Sequence, residues 1–274
     1  MIQFIRLLNF ELSRFSKIFL GLISLVFVSQ AGGMISYCYK HLNNLKTTSD
    51  SVKSTAPGMT PTEYKLDIIY GISNFFFYAP IAVGVTVITL YIFFIWYRDW
   101  FSKNTFIYRL LMLPMKRSYL FFAKALTILL YTLGLVAFQI INLHFLKFIF
   151  DSLIPEAERR TTGVIDLINT NVYLRMIIPS TLDAFVIYYF IGFCIVIALF
   201  TAILIERSYR LKGFFGAIVY CVILIASVIV TIIFSDGAML FPSDIMVIVI
   251  ILISLLATAS FFLSNYLLNK KITV

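Results

Sequence analysis

The chain has 274 residues, of which 61% are hydrophobic and only 13% charged, and it carries a formal net charge of +9. A water-soluble domain of this size cannot hide so much apolar surface, so the composition excludes the soluble globular classes and leaves a polytopic membrane protein. The positive charge then reads as a topology signal, with no nucleic-acid partner implied, because the basic residues collect between apolar spans.

Residues 2–17, IQFIRLLNFELSRFSK, place Gln3, Arg6, Asn9, Ser13, Ser16 and Lys17 at three- and four-residue intervals, with Ile5, Leu8, Leu12 and Phe15 opposite. That spacing predicts an amphipathic helix lying in the membrane interface. An ordinary basic flank that fixes topology is the plainer alternative. The apolar run that follows is long enough to cross and is expected to be retained rather than cleaved as a signal peptide.

A spanning helix needs about 20 mostly apolar residues. Six stretches qualify, at about 18–37, 72–96, 125–146, 183–205, 213–234 and 245–268. The short alternating segments of a barrel are missing, so the fold class is all-α, a single transmembrane domain of six helices. Between the spans, about 38–71 reads as a poorly packed loop with turn signals at Pro57, Gly58 and Pro61. About 147–182 carries Asp151, Glu156, Glu158, Arg159, Arg160, Asp166 and Arg175 among apolar residues and predicts one or two short surface helices. The brief Ser235–Asp244 connection predicts that the last two spans pack as an antiparallel hairpin.

Lys and Arg are distributed unevenly about this scheme. Three lie in the N-terminal tail, six after the second span, three after the fourth and two in the C-terminal tail, which places 14 of the 22 on one side. Glu11, Asp99 and Glu206 are the only acidic residues there. Both termini are therefore expected in the cytoplasm. Cys38, Cys194 and Cys221 are far apart with no CxxC, so they read as small hydrophobes, and neither a disulfide framework nor a zinc site is suggested.

The chemistry available to the chain is limited. No Asp, Glu, Lys or Arg falls in the central part of a predicted span, which argues against an ion-coupled carrier. His144 stands toward the end of the third span without a carboxylate close by in sequence. No G-x-x-x-x-G-K-[ST] loop, HExxH or GxSxG is present, so no enzyme activity and no cofactor site is expected in this chain. Polar, uncharged faces do occur: Asn74, Tyr78, Thr86 and Thr89 in the second span, and Tyr220, Ser227 and Thr231 in the fifth. Such faces suit either the lining of a conduit or hydrogen-bonded packing between spans, and packing is the commoner use.

The most informative stretch is 97–124, YRDWFSKNTFIYRLLMLPMKRSYLFFAK, with six basic residues and one acidic residue between two apolar spans. Asn104 to Leu113 is amphipathic, Pro114 breaks the run, Lys116 and Arg117 form a basic cluster, and a helix restarts at Ser118. This predicts a short helix along the cytoplasmic surface.

Leu110-Leu111-Met112-Leu113-Pro114-Met115-Lys116-Arg117-Ser118 followed by Ala123-Lys124 resembles the L-x-L-P-x-x-R…A-K segment after the second span of ABC-2 type transporter permeases. The ending Asn265-Tyr266-Leu267-Leu268-Asn269-Lys270-Lys271-Ile272-Thr273-Val274 is similar to that family's basic, β-branched tail. The resemblance implies the membrane subunit of a bacterial ATP-binding cassette exporter, resident in the cytoplasmic membrane. It further implies a second permease subunit, identical or related, and a separate ATPase that binds ATP and Mg. In the family the segment after the second span is the coupling helix, a role that would fall to Asn104–Leu113 with Arg98, Asp99, Arg109, Pro114, Lys116 and Arg117 around it. Glu206 and Arg207, in the turn ending at Lys212, would form a second contact, and the second and fifth spans would line the conduit. A hydrophobic or amphipathic peptide suits the chain better than a polysaccharide. The competing reading is a non-transporting sensor or accessory subunit, and an ion-coupled carrier is a third.

Overall fold

Every regular element in the computed structural model of the protein is helical. The residues it describes are 2–55, 66–101, 116–237 and 241–270, and no strand occurs among them. In chain order the helices are α1 (Ile2–Thr55), α2 (Ile68–Ile72), α3 (Phe75–Phe101), α4 (Arg117–Leu153), α5 (Val164–Thr170), α6 (Val172–Ile177), α7 (Leu182–Gly237) and α8 (Pro242–Lys270), with a 3-10 turn at Glu156–Glu158. Among the described residues six helical segments are long and apolar enough to cross a membrane, two of them within α7: Leu182–Tyr209 and Lys212–Ser235. The architecture is that of an all-α, multi-pass membrane protein.

Local chemistry explains several boundaries. α1 runs through the expected interfacial helix and onward to Thr55, so residues 38–55, expected as loop, are helical. Their polar composition contains no Pro or Gly, so nothing in it breaks the helix. α2 is capped by Asp67, whose carboxylate accepts from the Ile69 amide at 3.1 Å. α3 starts three residues later than expected, because Asn74 forms its N-cap: Oδ1 accepts from the Phe77 amide at 3.0 Å, while Nδ2 donates to the Gly71 carbonyl at 2.6 Å.

The chain divides into two compact units. The first comprises Met1–Arg14, Ile88–Leu130 and Val186–Val274, the second Phe15–Val87 and Tyr131–Phe185. In the second unit, a polar knot inside apolar helices joins α1, α3 and α4. Gln30, Gln139 and Asn142 are buried. Asn142 Nδ2 donates to Gln30 Oε1 at 2.6 Å, Gln139 Nε2 to the same oxygen at 3.2 Å, and Gln30 Nε2 to the Phe77 carbonyl at 3.1 Å. Beside it, Pro80 stands inside α3 and lacks the N–H that would bond the carbonyl four residues back, that of Phe76. The Ser29 hydroxyl donates to that carbonyl at 2.9 Å. Helix contact here is close, since a Cβ on Gly33 would lie 2.7 Å from Phe76 Cβ.

The same unit holds the charged 147–182 region. Its helices are α5, α6 and the 3-10 turn, in line with the sequence expectation. Leu66 pairs with this region through its amide to the Glu158 carbonyl at 2.7 Å and its carbonyl from the Arg160 amide at 2.8 Å. Arg159 reaches the Asp151 carboxylate at 3.1 Å.

In the first unit an aromatic core of Trp96, Phe121 and Phe200 has ring centroids 5.6–6.4 Å apart, and Phe261 stacks against Phe121 and Phe122. Within α7 the chain doubles back between its two spans. A Cβ on Gly213 would lie 2.5 Å from the carbonyl oxygens of both Ile205 and Glu206. Along a straight helix those residues would be about 10 Å apart. The fifth span, Lys212–Ser235, has none of its most apolar stretch buried within the chain, so lipid or another subunit covers it. Tyr220, early in that span, donates to Ser260 Oγ, late in α8, at 2.5 Å, as antiparallel neighbours do.

Candidate functional site: a buried ion cluster at the end of α3

Three consecutive residues near the end of α3 bind three different neighbours within the first unit. Successive helical side chains point about 100° apart, so Tyr97, Arg98 and Asp99 fan out around the helix. The Tyr97 hydroxyl donates to Glu206 Oε2, and the Arg207 guanidinium lies 4.7 Å from the Tyr97 ring centroid. Arg98 Nη2 reaches Glu11 Oε2 at 3.2 Å. Asp99 accepts from Arg14 Nη1 at 2.8 Å through Oδ1 and from Lys124 Nζ at 2.5 Å through Oδ2.

Lys124 is the hub. Its ammonium has three protons and three acceptors: Glu11 Oε1 at 2.8 Å, Asp99 Oδ2 at 2.5 Å and the Ile95 carbonyl at 3.1 Å. It also lies 5.4 Å from the Trp96 ring centroid, where the negative face of the indole adds attraction. Glu11, Asp99 and Lys124 are all fully buried, while Arg14 and Arg98 keep 23% and 30% of their side chains exposed. Two carboxylates thus meet three cations. The excess positive charge sits on the two arginines that reach the edge, where solvation offsets its cost.

The basis for this arrangement is local. Leu7 and Glu11 are buried on α1, four residues apart on one stripe, whereas Ile5 is 58% exposed. Of the expected apolar face, Phe15 is buried, Leu8 and Leu12 are half-buried and Ile5 alone is exposed, so the packed stripe runs through Leu7, Glu11 and Phe15. Glu11 lies on the packed stripe and must find cations. Lys124 stands in an apolar run, FFAKALTILL, and must find carboxylates. Asp99 on α3 completes both requirements.

The residues singled out from sequence fall into separate settings. Asn104, Arg109 and Pro114, with the expected coupling helix, lie outside the described residues. Asp99 is wholly engaged inside the cluster, and Arg98 is bonded at its edge. Arg117 donates to the Leu268 carbonyl in the last turn of α8, and Ser118 Oγ donates to Asn265 Oδ1 at 3.0 Å. Arg117 and Ser118 therefore meet Leu268 and Asn265 of the NYLLNK segment. Lys116 is exposed. Glu206 and Arg207 join the site through Tyr97.

The polar residues expected on the second and fifth spans each have local partners or stand exposed. Asn74 is a helix cap. Tyr78 accepts from Asn171 Nδ2 at 2.7 Å. Thr86 and Thr89 are exposed, Thr86 bonding its own Ala82 carbonyl. Ser227 and Thr231 bond carbonyls of their own helix at 2.7 and 2.8 Å, and Tyr220 bonds Ser260. His144 is exposed, with Nδ1 2.9 Å from the Ile140 carbonyl of its own helix.

Sequence reasoning missed Glu11, Arg14 and Lys124 as site residues. The signal lay in the isolation of Lys124 among apolar neighbours, since a lone ammonium in such a run demands a carboxylate from elsewhere in the chain. Among the described residues no group of His, Cys, Asp and Glu could hold a metal ion. What the cluster can do is mechanical: it locks α1, the end of α3 and the start of α4 into one charge-compensated joint. Comparison with known proteins returned no matching family model, no matching curated protein and no matching solved structure.

Proposed function

We propose that this chain is the permease subunit of an ATP-binding cassette exporter in a bacterial cytoplasmic membrane. It moves a hydrophobic or amphipathic substrate, of the peptide class, out of the cell. ATP and Mg are bound by a separate subunit that pushes on the 97–124 segment from the cytoplasm, and a second permease subunit completes the transporter. The observation that carries this reading is the anchoring of both ends of that segment. Arg98 and Asp99 stand at its start and Lys124 at its end; Arg98 and Lys124 bond Glu11 of α1, and Asp99 bonds Arg14 of α1 and Lys124. A stroke delivered to a segment with loose ends dissipates in its linkers; a segment seated in a buried ion cluster passes the displacement to three helices together. The second expected contact, at Glu206 and Arg207, is bonded to the same turn of α3 through Tyr97.

The test is a detergent pull-down of the tagged chain from its native membrane, with identification of bound proteins and an ATPase assay. A stoichiometric ATP-hydrolysing partner supports the exporter reading. A folded chain that recovers no such partner overturns it and favours a sensor subunit. Transport that collapses with the proton gradient at constant ATP favours an ion-coupled carrier.

A further inference from the structure

Within the first unit, the fourth span, the fifth span and α8 line an open cavity of about 380 Å³. Its volume lies in the range of small-molecule sites, about 300–1,000 Å³. Its lining is entirely Cys, Ile, Ala, Leu and Val, with no charged, amide, hydroxyl or aromatic side chain. The absence of aromatics is informative in a chain with 28 Phe and 16 Tyr, because rings are the usual partners of aromatic and cationic ligands. Small residues make the space, with Cys194 and Ala198 on the fourth span, Cys221 on the fifth and Ala257 on α8. Water does not fill such a cavity, since a buried water needs two to four polar partners.

One end is bordered by hydroxyls. Thr201, Tyr220, Ser260 and Ser264 lie beside the lining residues Ala198, Cys221 and Ala257 along their own helices. They bond one another: Tyr220 to Ser260 at 2.5 Å, and Thr201 to Ser264 at 2.7 Å. These hydroxyls are satisfied by each other and by backbone carbonyls, so they leave no free donor for a polar ligand head. One side is open, since Ile195, Ile225 and Ile229 are 53%, 60% and 49% exposed. Along the fifth span the lining runs from Cys221 to Ile229. That is about 12 Å of helix, close to the hydrocarbon depth of one leaflet, about 15 Å.

We infer that this cavity is a binding site for one acyl chain of a membrane phospholipid, entering from the bilayer past Ile195 and Ile225 with its headgroup left outside. An unbranched, flexible, non-aromatic chain matches the lining chemistry, the length and the lateral opening. The inference holds whether or not the chain is an exporter.

The test uses the full chain in lipid nanodiscs that contain a phosphatidylcholine with a diazirine on one acyl chain. After irradiation, labelled positions are mapped by peptide mass spectrometry. The expected result is label at lining positions on all three helices, at yields several-fold above those at Leu90 and Phe94, which are exposed on α3. Ala198→Phe or Ala257→Phe, checked for folding by size-exclusion profile, should abolish the cavity label and leave the α3 label unchanged. Cavity yields no higher than those at Leu90 and Phe94 in the unmodified chain overturn the site. So does bismaleimide cross-linking of Cys221 between two copies with lipid label absent, which assigns this face to a chain–chain contact.

Discussion

Lys124 Nζ lies 2.5 Å from Asp99 Oδ2 with neither side chain exposed, and this pair joins the two helices that flank the basic segment. Its partner network leaves none of the four carboxylate oxygens of Glu11 and Asp99 without a cation. Removing one member of a buried ion network strands the others in a low dielectric at a cost of about 3–5 kcal/mol, whereas removing the network as a whole is far milder.

Lys124→Met is therefore expected to destabilise the protein by about 3–5 kcal/mol. The triple variant Glu11→Gln, Asp99→Asn, Lys124→Met should recover most of that loss, because Arg14 and Arg98 are partly exposed and can turn to solvent. Thermal unfolding in detergent, followed by fluorescence-detected size exclusion, separates the two. A triple variant as unstable as Lys124→Met would show that the ions do not act as one network.

Ser29→Ala should cost about 0.5–1.5 kcal/mol, because the hydroxyl serves the carbonyl of Phe76 that Pro80 leaves without a donor. In a Pro80→Ala background, where the residue 80 amide can donate to that carbonyl, the same change should cost close to nothing. The double-mutant cycle in thermal stability reads this directly, and equal costs in both backgrounds would sink the assignment.

Gly213→Ala is expected to destabilise by about 1–3 kcal/mol, since the added methyl meets two backbone oxygens that cannot move aside. Gly21→Ala and Gly192→Ala, with nothing within 4 Å of the added atom, should stabilise by roughly 0.5–1 kcal/mol through helix propensity. Thermal shifts of the three single variants give the comparison, and a neutral Gly213→Ala would contradict the tight reversal in α7.

For the proposed exporter, Arg109→Glu with Lys116→Glu should leave the protein inserted and assembled but abolish substrate-stimulated ATP hydrolysis by the partner. Tyr97→Phe, which deletes one hydroxyl from the Glu206 contact, should reduce that stimulation partially. ATPase assays on the reconstituted complex check both, and unchanged stimulation in the double variant removes the coupling role from the segment.

Much of the helix inventory was legible because a run of 20 apolar residues has few options in a membrane other than a helix. Five of the six expected stretches fall within one of the long helices, the second begins three residues before α3, and the short helices of 147–182 followed from their mixed composition. Interior polar positions were harder to read. Asn74 shares a helical spacing with Tyr78, Thr86 and Thr89, yet it caps α3, because a side chain that can bond the amide of Phe77 competes with helix continuation at that point. The loop expected at 38–55 is helix, because polar composition alone does not end one.

The sequence by itself determined the membrane class, the all-helical architecture, and the charged segment after the second apolar run, since these depend on composition and on residues adjacent in the chain. Tertiary structure alone decided that Glu11, Arg14, Arg98, Asp99 and Lys124 form one cluster, with partners up to 113 residues apart. It also decided that Ser29 answers for Pro80, and that Cys194, Cys221 and Ala257 face one cavity. The reason is physical: a buried charge or an open carbonyl announces in sequence that it needs a partner, but only the packing of helices brings one partner within about 3 Å and excludes the rest.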